Sequence, residues 1–226
     1  MDNDIFVHFT KTIDDYDVVA DKVVMKNDEL HEVIVEAIPF GKDTKFRVLD
    51  LGSGTGFLME KILRKFPNVY IVGVDFSENM IKKAEENLKN YKGRYEMIKG
   101  DFTEVAFGTG YDLIVSAVAV HNIADEKKIE LTKKSSIAMN KGSYFINGDF
   151  IEGENEFIDN QYRLIYKDFL ENNLKGEELA VWLGHAFGED MPTSLSKQFK
   201  MLTKNGFHDV RLLWQFNNEA VYIAKK

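Results

Sequence analysis

A glycine-rich segment between an apolar run and a helix-like run is the part of the sequence best suited to chemistry. Gly52, Gly54 and Gly56 stand at alternate positions, and because glycine has no Cβ atom, such a loop lets a ligand press against the backbone. Phe57 stands where a dinucleotide-binding loop would place its third glycine. Asp50 precedes the loop, where a carboxylate would repel a pyrophosphate and attract a cationic amino group. The segment predicts a site for a zwitterionic, sulfonium-bearing ligand; the alternative is a tight turn that binds nothing.

Two further acids follow the next two apolar runs. Asp75 ends the second run, where a carboxylate can accept both hydroxyls of an adenosine ribose; the alternative is a charge at a helix N-terminus. Asp101 follows the third run and could accept a hydrogen bond from an adenine amino group, with Phe102 as an apolar wall. Gly-Asp is also a common turn. The loop and the two acids together indicate one site, because successive parallel strands end at the same edge of a sheet.

His121 is the candidate general base. It follows the fourth apolar run by a few residues, and an imidazole titrates near neutral pH. A base contributes only where the reacting group begins protonated. The alternative is a histidine that caps a helix or packs in the core. His185, in a later aromatic-rich stretch, is a weaker candidate for the same role.

Strands that alternate with helices are predicted to position these residues. Five apolar runs of strand length are separated by helical patterns, and they cover residues 46–51, 69–74, 94–99, 111–116 and 143–149. This alternation predicts βαβ units and a parallel sheet with right-handed crossovers. The chain then ends in a predicted hairpin, 210–216 and 219–224. Because a hairpin cannot join parallel strands, we expect one strand to be antiparallel.

The length of 226 residues predicts a single domain. Residues 1–44 have a charged, helical pattern. Residues 151–190 form an aromatic-rich helical insertion ahead of a crossover helix at 193–205, and such an insertion is expected to cap the carboxyl ends of the strands. If its aromatic side chains face the cleft, an apolar or planar small molecule is the expected acceptor.

Composition excludes several classes of function. Lys and Arg number 29 against 37 Asp and Glu, a net charge of −8, which argues against a general grip on nucleic acid. The chain has no Cys, so disulfides, cysteine-ligated metals and a thiol nucleophile are excluded. No apolar stretch approaches the about 20 residues of a spanning helix, and the first residues lack a signal-peptide pattern. The sequence predicts a cytoplasmic protein without a membrane partner.

Four sequence runs together resemble the class I S-adenosylmethionine-dependent methyltransferases. They are VLDLGSGTG, VGVD, GDF and YDLIVSAVAVHNI, and with the terminal hairpin the resemblance covers residues 30–226. It implies a Rossmann-like, doubly wound α/β fold whose seven strands are ordered 3-2-1-4-5-7-6, with strand 7 antiparallel and a helical insertion after strand 5. It also implies S-adenosyl-L-methionine as the methyl donor.

The resemblance implies donor-binding roles at the positions that match these runs. The methionine moiety would be cradled by Asp50, Gly52, Ser53 and Gly54. The adenosine would be held by Asp75, Phe76, Asp101 and Phe102, the methyl-bearing centre would be lined by Ser116 and Ala117, and Tyr16 would fold over the donor. Metal-dependent relatives carry acids after strands 4 and 5. Asp149 matches the second place only, so no metal is predicted.

The segment 157–226 is most similar to the branch that contains carboxy-S-adenosylmethionine synthase. That branch needs an Arg in the cap for its extra carboxylate, and no Arg occurs between Arg163 and Arg211. We therefore predict an enzyme that moves a methyl group to a small-molecule acceptor by in-line displacement. The alternatives are carboxy-donor chemistry, a donor-binding protein without transfer activity and, disfavoured by Asp50 and Phe57, a nicotinamide oxidoreductase. The oligomeric state is open, with a homodimer as one option.

Overall fold

A seven-stranded sheet forms the centre of the molecule. The computed structural model describes residues 16–226, with side chains from residue 18 onward. The strands are β1 (Phe46–Leu51), β2 (Val69–Asp75), β3 (Tyr95–Lys99), β4 (Tyr111–Ala117), β5 (Met139–Phe150), β6 (His208–Phe216) and β7 (Glu219–Lys225). Their order is β3-β2-β1-β4-β5-β7-β6, and β7 runs antiparallel to both neighbours. The predicted fold class and strand order are confirmed.

Eight α-helices cover the sheet and its carboxyl edge in the described part of the chain. They are α1 (Tyr16–Val23), α2 (Asn27–Glu36), α3 (Phe57–Lys65), α4 (Glu78–Asn87), α5 (Asp125–Ala138), α6 (Glu156–Asn173), α7 (Gly176–Gly184) and α8 (Leu195–Lys204). A 3₁₀ turn, Val120–Asn122, follows β4, and a π-helical turn, His185–Glu189, follows α7. None of the described helices has the length and apolar character needed to cross a membrane.

Successive side chains of each strand point to opposite faces of the sheet, which explains the two main layers of the core. In β1, Val48 packs with α2 and α3 on one face, whereas Leu49 packs with α5 and α8 on the other. Both residues are fully buried, as expected where helices cover both faces of a parallel sheet. This double burial accounts for the near-continuous apolar runs in the sequence.

A third apolar cluster joins the N-terminal helix to the helical insertion. Val19 and Val23 of α1 pack against Phe150, Tyr166 and, among others, Leu170 and Trp182. The Tyr166 hydroxyl donates a 2.8 Å hydrogen bond to the carbonyl oxygen of Val23. α1, α6 and α7 therefore form one cap beside the end of β5, and we use the word cap for these three helices and the π-helical turn.

Two strands begin two or more residues before the predicted position. β5 begins at Met139, directly after the end of α5 at Ala138, rather than at residue 143. Met139 pairs with Tyr111 across a register shift in β4, a tertiary contact that the local pattern does not reveal. β6 begins at His208 rather than at residue 210. Asp209 has a φ of 49°, and the strand pattern of the sequence does not extend across this irregular start.

Candidate active site

A cavity of about 300 Å³ lies where the carboxyl ends of β1 and β4 meet α2 and the cap. The glycine loop forms one side, with Asp50, Gly52, Ser53 and Gly54 in the wall. The other side is formed by the 3₁₀ turn after β4 and by cap residues. The site therefore occupies the edge of an α/β sheet at which ligands of such folds usually bind.

The end of β2 holds the glycine loop in a left-handed conformation. Gly52 and Gly54 have φ values of 73° and 52°, a region that strains residues with a Cβ atom. The backbone N–H groups of Gly52 and Ser53 donate to the carbonyl oxygen of Val74, at 2.9 and 3.0 Å. A Cβ atom on Gly54 would meet nothing within 4 Å, so the loop leaves open space directly above its backbone.

Asp50 is a buried carboxyl group without a hydrogen-bond partner at Oδ2. Burial raises its pKa to about 8, and the nearby carboxyl group of Asp75 adds to this shift. The hydroxyl of Ser53 is also buried and makes no hydrogen bond. Unpaired buried polar atoms are costly, so these two groups in the cavity wall are suited to a polar ligand.

The carboxylate of Asp75 accepts two backbone hydrogen bonds. Its Oδ2 atom accepts from Gly54 N at 2.9 Å and its Oδ1 atom from Ser77 N at 2.8 Å. Burial raises the pKa of Asp75, and the two donors oppose that shift. Asp75 does not line the cavity; in the structure it ties the glycine loop to the start of α4.

Four other predicted residues also lie outside the cavity wall: Phe76, Asp101, Phe102 and Ser116. Asp101 Oδ1 accepts from Thr103 N at 2.8 Å, and Phe102 is buried in the apolar core. The Ser116 hydroxyl donates to the carbonyl oxygen of Leu51 at 2.8 Å. Ala117 does line the cavity. The side chain of Tyr16 lies outside the described residues.

His121 and Asp149 form a buried pair beside the cavity. His121 Nδ1 lies 2.6 Å from Asp149 Oδ1, and His121 N donates to Asp149 Oδ2 at 3.0 Å. Only 4% and 2% of the two side chains are exposed. Burial lowers the pKa of His121, but the carboxylates of Asp149 and Asp190 outweigh it, so the pKa is raised above its usual value. The Asp149 carboxylate accepts the Nδ1–H, and the other ring nitrogen, Nε2, lies 3.1 Å from Asn122 Nδ2.

Asp190 faces the same histidine from the cap. Its Oδ1 atom lies 3.6 Å from His121 Nε2 and 3.3 Å from His185 Nε2. This oxygen is buried and accepts no hydrogen bond of acceptable geometry. His185 Nδ1 lies 2.9 Å from Glu189 Oε2. Sequence reasoning missed Asp190; the available signal was a second histidine followed by two acids in the aromatic-rich insertion.

A tether fixes the segment that carries Asp190. Met191 N donates to the carbonyl oxygen of His121 at 2.9 Å. The buried ammonium of Lys128 donates to Thr193 Oγ1 at 2.7 Å and also to the carbonyl oxygen of Met191. Burial lowers the pKa of Lys128, while Asp125 opposes that shift. The turn after β4, α5 and the end of the cap are therefore joined directly behind the cavity.

Among its described residues, the wall of the cavity contains four acidic side chains, all of them Asp, and no Lys or Arg. Within the part of the chain that the structure describes, no group of three or more His, Asp or Glu side chains is arranged to hold a metal ion.

Sequence comparison assigns the family. The methyltransferase-domain family model matches residues 42–210, which is well over half of the chain. This chain belongs to the S-adenosylmethionine-dependent methyltransferase family. The resemblance predicted from the four sequence runs is confirmed, and S-adenosyl-L-methionine is the methyl donor of this enzyme.

Two curated relatives of this methyltransferase are named carboxy-S-adenosyl-L-methionine synthase. The relative from Staphylococcus epidermidis is 30% identical over 96% of this chain and 94% of its own. The relative from Nautilia profundicola is 28% identical over 80% of this chain and 77% of its own. A malonyl-[acyl-carrier protein] O-methyltransferase from Legionella pneumophila is 30% identical over 54% of this chain and 41% of its own.

Solved structures with the same fold include the pyocyanin biosynthetic protein PhzM and the methyltransferase SibL. PhzM has a TM-score of 0.68 at 17% identity and SibL a TM-score of 0.67 at 14% identity. The alignments cover 98% and 88% of this methyltransferase, but only 61% and 55% of those chains. At these identities the likeness extends to the fold alone.

Proposed function

We propose that the cavity binds S-adenosyl-L-methionine at the glycine loop and a small-molecule acceptor at the cap, with His121 as the general base. The observation that carries this proposal is one continuous cavity whose wall contains both Gly54 and His121. Reaction by in-line displacement requires donor and nucleophile in a shared, water-poor space. The bound donor supplies a methyl group that its sulfonium has already activated.

The donor side fits a zwitterionic amino acid moiety. Asp50 would accept from its ammonium group, because Oδ2 is buried and has no hydrogen-bond partner in the protein. Ser53 and the open space above Gly54 would hold the remainder against the loop, with Gly52 as the other left-handed position. This fit supports the methionine-binding roles of these four residues.

The adenosine roles rest on position in the fold. Asp75 follows β2 and is proposed to bind the ribose, beside Phe76 at the adenine. Asp101 and Phe102 follow β3 and are proposed to hold the adenine from the other side. We further propose that Ser116 supports and Ala117 lines the methyl-bearing centre at the end of β4, and that Tyr16 covers the donor.

We propose that His121 receives a proton from the methyl acceptor. Asp149 accepts its Nδ1–H, which holds the ring and leaves the lone pair of Nε2 as the site that can accept a proton. Nε2 lies 3.1 Å from Asn122 Nδ2. The bound methyl acceptor can take the place of Asn122 as the hydrogen-bond partner of Nε2. The raised pKa of His121 makes it a stronger base than a free imidazole.

Carboxy-donor chemistry is the second candidate, and the curated relatives named carboxy-S-adenosyl-L-methionine synthase favour it. The wall of the cavity argues against it, since a carboxylate on the donor would need a cation and no described lining residue is Lys or Arg. Arg163, the one Arg in the cap, has its guanidinium 4.8 Å from the centre of the Phe187 ring instead.

A labelling experiment tests the proposed transfer. The protein is incubated with trideuteromethyl-labelled S-adenosyl-L-methionine and a small-molecule extract, and products carrying the label are sought by mass spectrometry. We expect labelled products from the wild type and from His208→Gln, an exposed control. His121→Gln should form them about 10²-fold or more slowly. Equal rates in both variants would rule out His121 as the base, and carboxylated donor in place of labelled product would favour the second candidate.

A further inference from the structure

We propose that the acceptor is an amine, bound at the cap side of the cavity by Asp190 and Asn122. The proposal rests on the proposed function and adds the chemical class of the substrate. It is carried by the unpaired oxygens, the charge and the aromatic wall of that side of the cavity.

Two buried oxygens on the cap side need hydrogen-bond donors. Asp190 Oδ1 and Asn122 Oδ1 are both buried and accept no hydrogen bond, and both residues line the cavity. Only 7% of the Asp190 side chain is exposed. The Asn122 amide is oriented by its Nδ2 atom, which donates to the carbonyl oxygen of Ala119 at 3.3 Å. A ligand that satisfies both oxygens must carry at least two donor hydrogens.

This demand separates amines from other nucleophiles. An alcohol, a phenol or a thiol has one donor hydrogen, and a carboxylate has none. A primary amine or its ammonium form has two or three. Because four Asp and no Lys or Arg stand among the described lining residues, the field in the cavity favours a cation and disfavours an anion.

An aromatic wall completes the site. Phe150, Tyr166 and Trp182 line the cavity on the cap side, and Phe150 packs edge-on against His121 with ring centres 5.0 Å apart. Aromatic faces attract ammonium groups and bury the apolar body of a ligand. An amine with an apolar or planar body therefore fits both parts of this wall.

The proposed site also accounts for the proton that the amine must lose before methyl transfer. The bound ammonium gives one proton to His121 Nε2, and the freed nitrogen lone pair forms a bond to the methyl carbon. The carbon–sulfur bond breaks and its electron pair stays on sulfur, so the sulfonium becomes a thioether. The products are the N-methylated ammonium, S-adenosylhomocysteine and a proton that leaves through His121.

Equilibrium binding to the intact protein tests the proposal without turnover. Calorimetric titrations measure 2-phenylethylamine, 2-phenylethanol and 3-phenylpropanoate, three probes with one aromatic body and different heads, on protein saturated with S-adenosylhomocysteine. We expect the amine to bind at least about tenfold more tightly than the alcohol, and the carboxylate least. A matched aliphatic set, hexylamine, hexanol and hexanoate, should show the same order.

Two variants test whether Asp190 causes the preference for the amine probe. Asp190→Asn should remove the preference for the amine while the affinity for S-adenosylhomocysteine changes less than about threefold. Asp168→Asn, an exposed acid on α6, should leave both unchanged. If S-adenosylhomocysteine binds, but the alcohol or the carboxylate binds as tightly as the amine in both sets of probes, the amine proposal fails and the donor proposal stands. If S-adenosylhomocysteine itself does not bind, both proposals fail.

Discussion

Nδ1 of His121 lies 2.6 Å from Oδ1 of Asp149, and both side chains are almost completely buried. The pair joins the turn after β4, the central strand of the sheet, to the end of the neighbouring strand β5. A histidine held in this way has one nitrogen committed to structure and one free to exchange protons with a ligand. His121 stands in the wall of the cavity together with the glycine loop and Asp190.

The protonation of His121 gives a first prediction. Because the carboxylates of Asp149 and Asp190 outweigh burial, the imidazole of the wild type should titrate above its usual pKa of 6.5. Asp190→Asn should lower that pKa, since it removes one of the two charges. Histidine NMR over a pH series checks both values, with the exposed His208 as internal control. A His121 pKa that does not change in Asp190→Asn would contradict the proximity of Asp190 to His121.

Turnover should rise with pH through the pKa of His121, because only neutral His121 accepts a proton.

The raised pKa of Asp50 gives a second prediction. At pH 7 a carboxyl group with a pKa of about 8 is mostly protonated, whereas pairing with the ligand's ammonium group favours the ionised form. Binding of S-adenosylhomocysteine should therefore release up to about one proton, and affinity should increase from pH 6 to pH 8. Calorimetry at pH 7 in phosphate and in Tris, which differ in ionisation enthalpy, measures the release. Asp50→Asn should abolish the difference between buffers; its persistence would assign the proton to another group.

Glu219 gives a third prediction, on stability. Its buried carboxylate accepts from Met25 N at 2.6 Å and from Lys26 N at 3.0 Å, and so holds the turn between α1 and α2. Glu219→Ala leaves two donors without partners and should lower the free energy of unfolding by about 1–3 kcal/mol. Urea unfolding measures the change, with the exposed Glu86→Ala as control. Equal stability of the two variants would show that the turn does not depend on this carboxylate.

The pH dependence of the same group has a defined sign. Burial raises the pKa of Glu219 to about 7 from 4.5, so the folded state binds this proton more tightly than the unfolded chain. The part of the stability that comes from protonation of Glu219 is fully present below about pH 4.5 and is lost as the pH rises through about 7. The stability difference between wild type and Glu219→Gln should therefore shift against the wild type over that range, as urea unfolding at several pH values would reveal.

The sequence predicts those parts of the molecule that depend on local pattern. The strand order, the glycine loop, the acid at Asp50 and the position of His121 all follow from short runs of residues or from the resemblance that they carry. Asp190 lies near both His121 and His185 because the segment after the cap is held in place by the hydrogen bonds of Met191 and Lys128. That contact depends on tertiary packing, and no spacing in the sequence encodes it.

Asp75 illustrates the opposite difficulty. Its place at the end of β2 predicts a ribose ligand, yet both of its oxygens accept backbone N–H groups of the described chain. A carboxylate oxygen can accept more than one hydrogen bond, so the ribose role stays a prediction. The sequence pattern predicts the position of the carboxylate in the fold. It does not predict whether the hydrogen-bond donors to that carboxylate come from the protein or from a ligand.

Binding of the donor at the glycine loop is the central claim, and a pair of matched glycine variants tests it. Gly54 and Gly142 both have positive φ, and a Cβ atom at either would meet nothing within 4 Å. Asn tolerates this backbone conformation, so Gly54→Asn and Gly142→Asn should fold with similar small losses of stability. Only Gly54 lines the cavity.

The most direct measurement is calorimetric titration of the wild type and these two variants with S-adenosylhomocysteine, with NADH in parallel. We predict binding in the micromolar range for the wild type and for Gly142→Asn, at least about tenfold weaker binding for Gly54→Asn, because its side chain fills the space above the loop, and none of NADH. Folded, ligand-free wild type that does not bind S-adenosylhomocysteine, or a Gly54→Asn variant that binds it as well as Gly142→Asn does, would contradict the donor site described above.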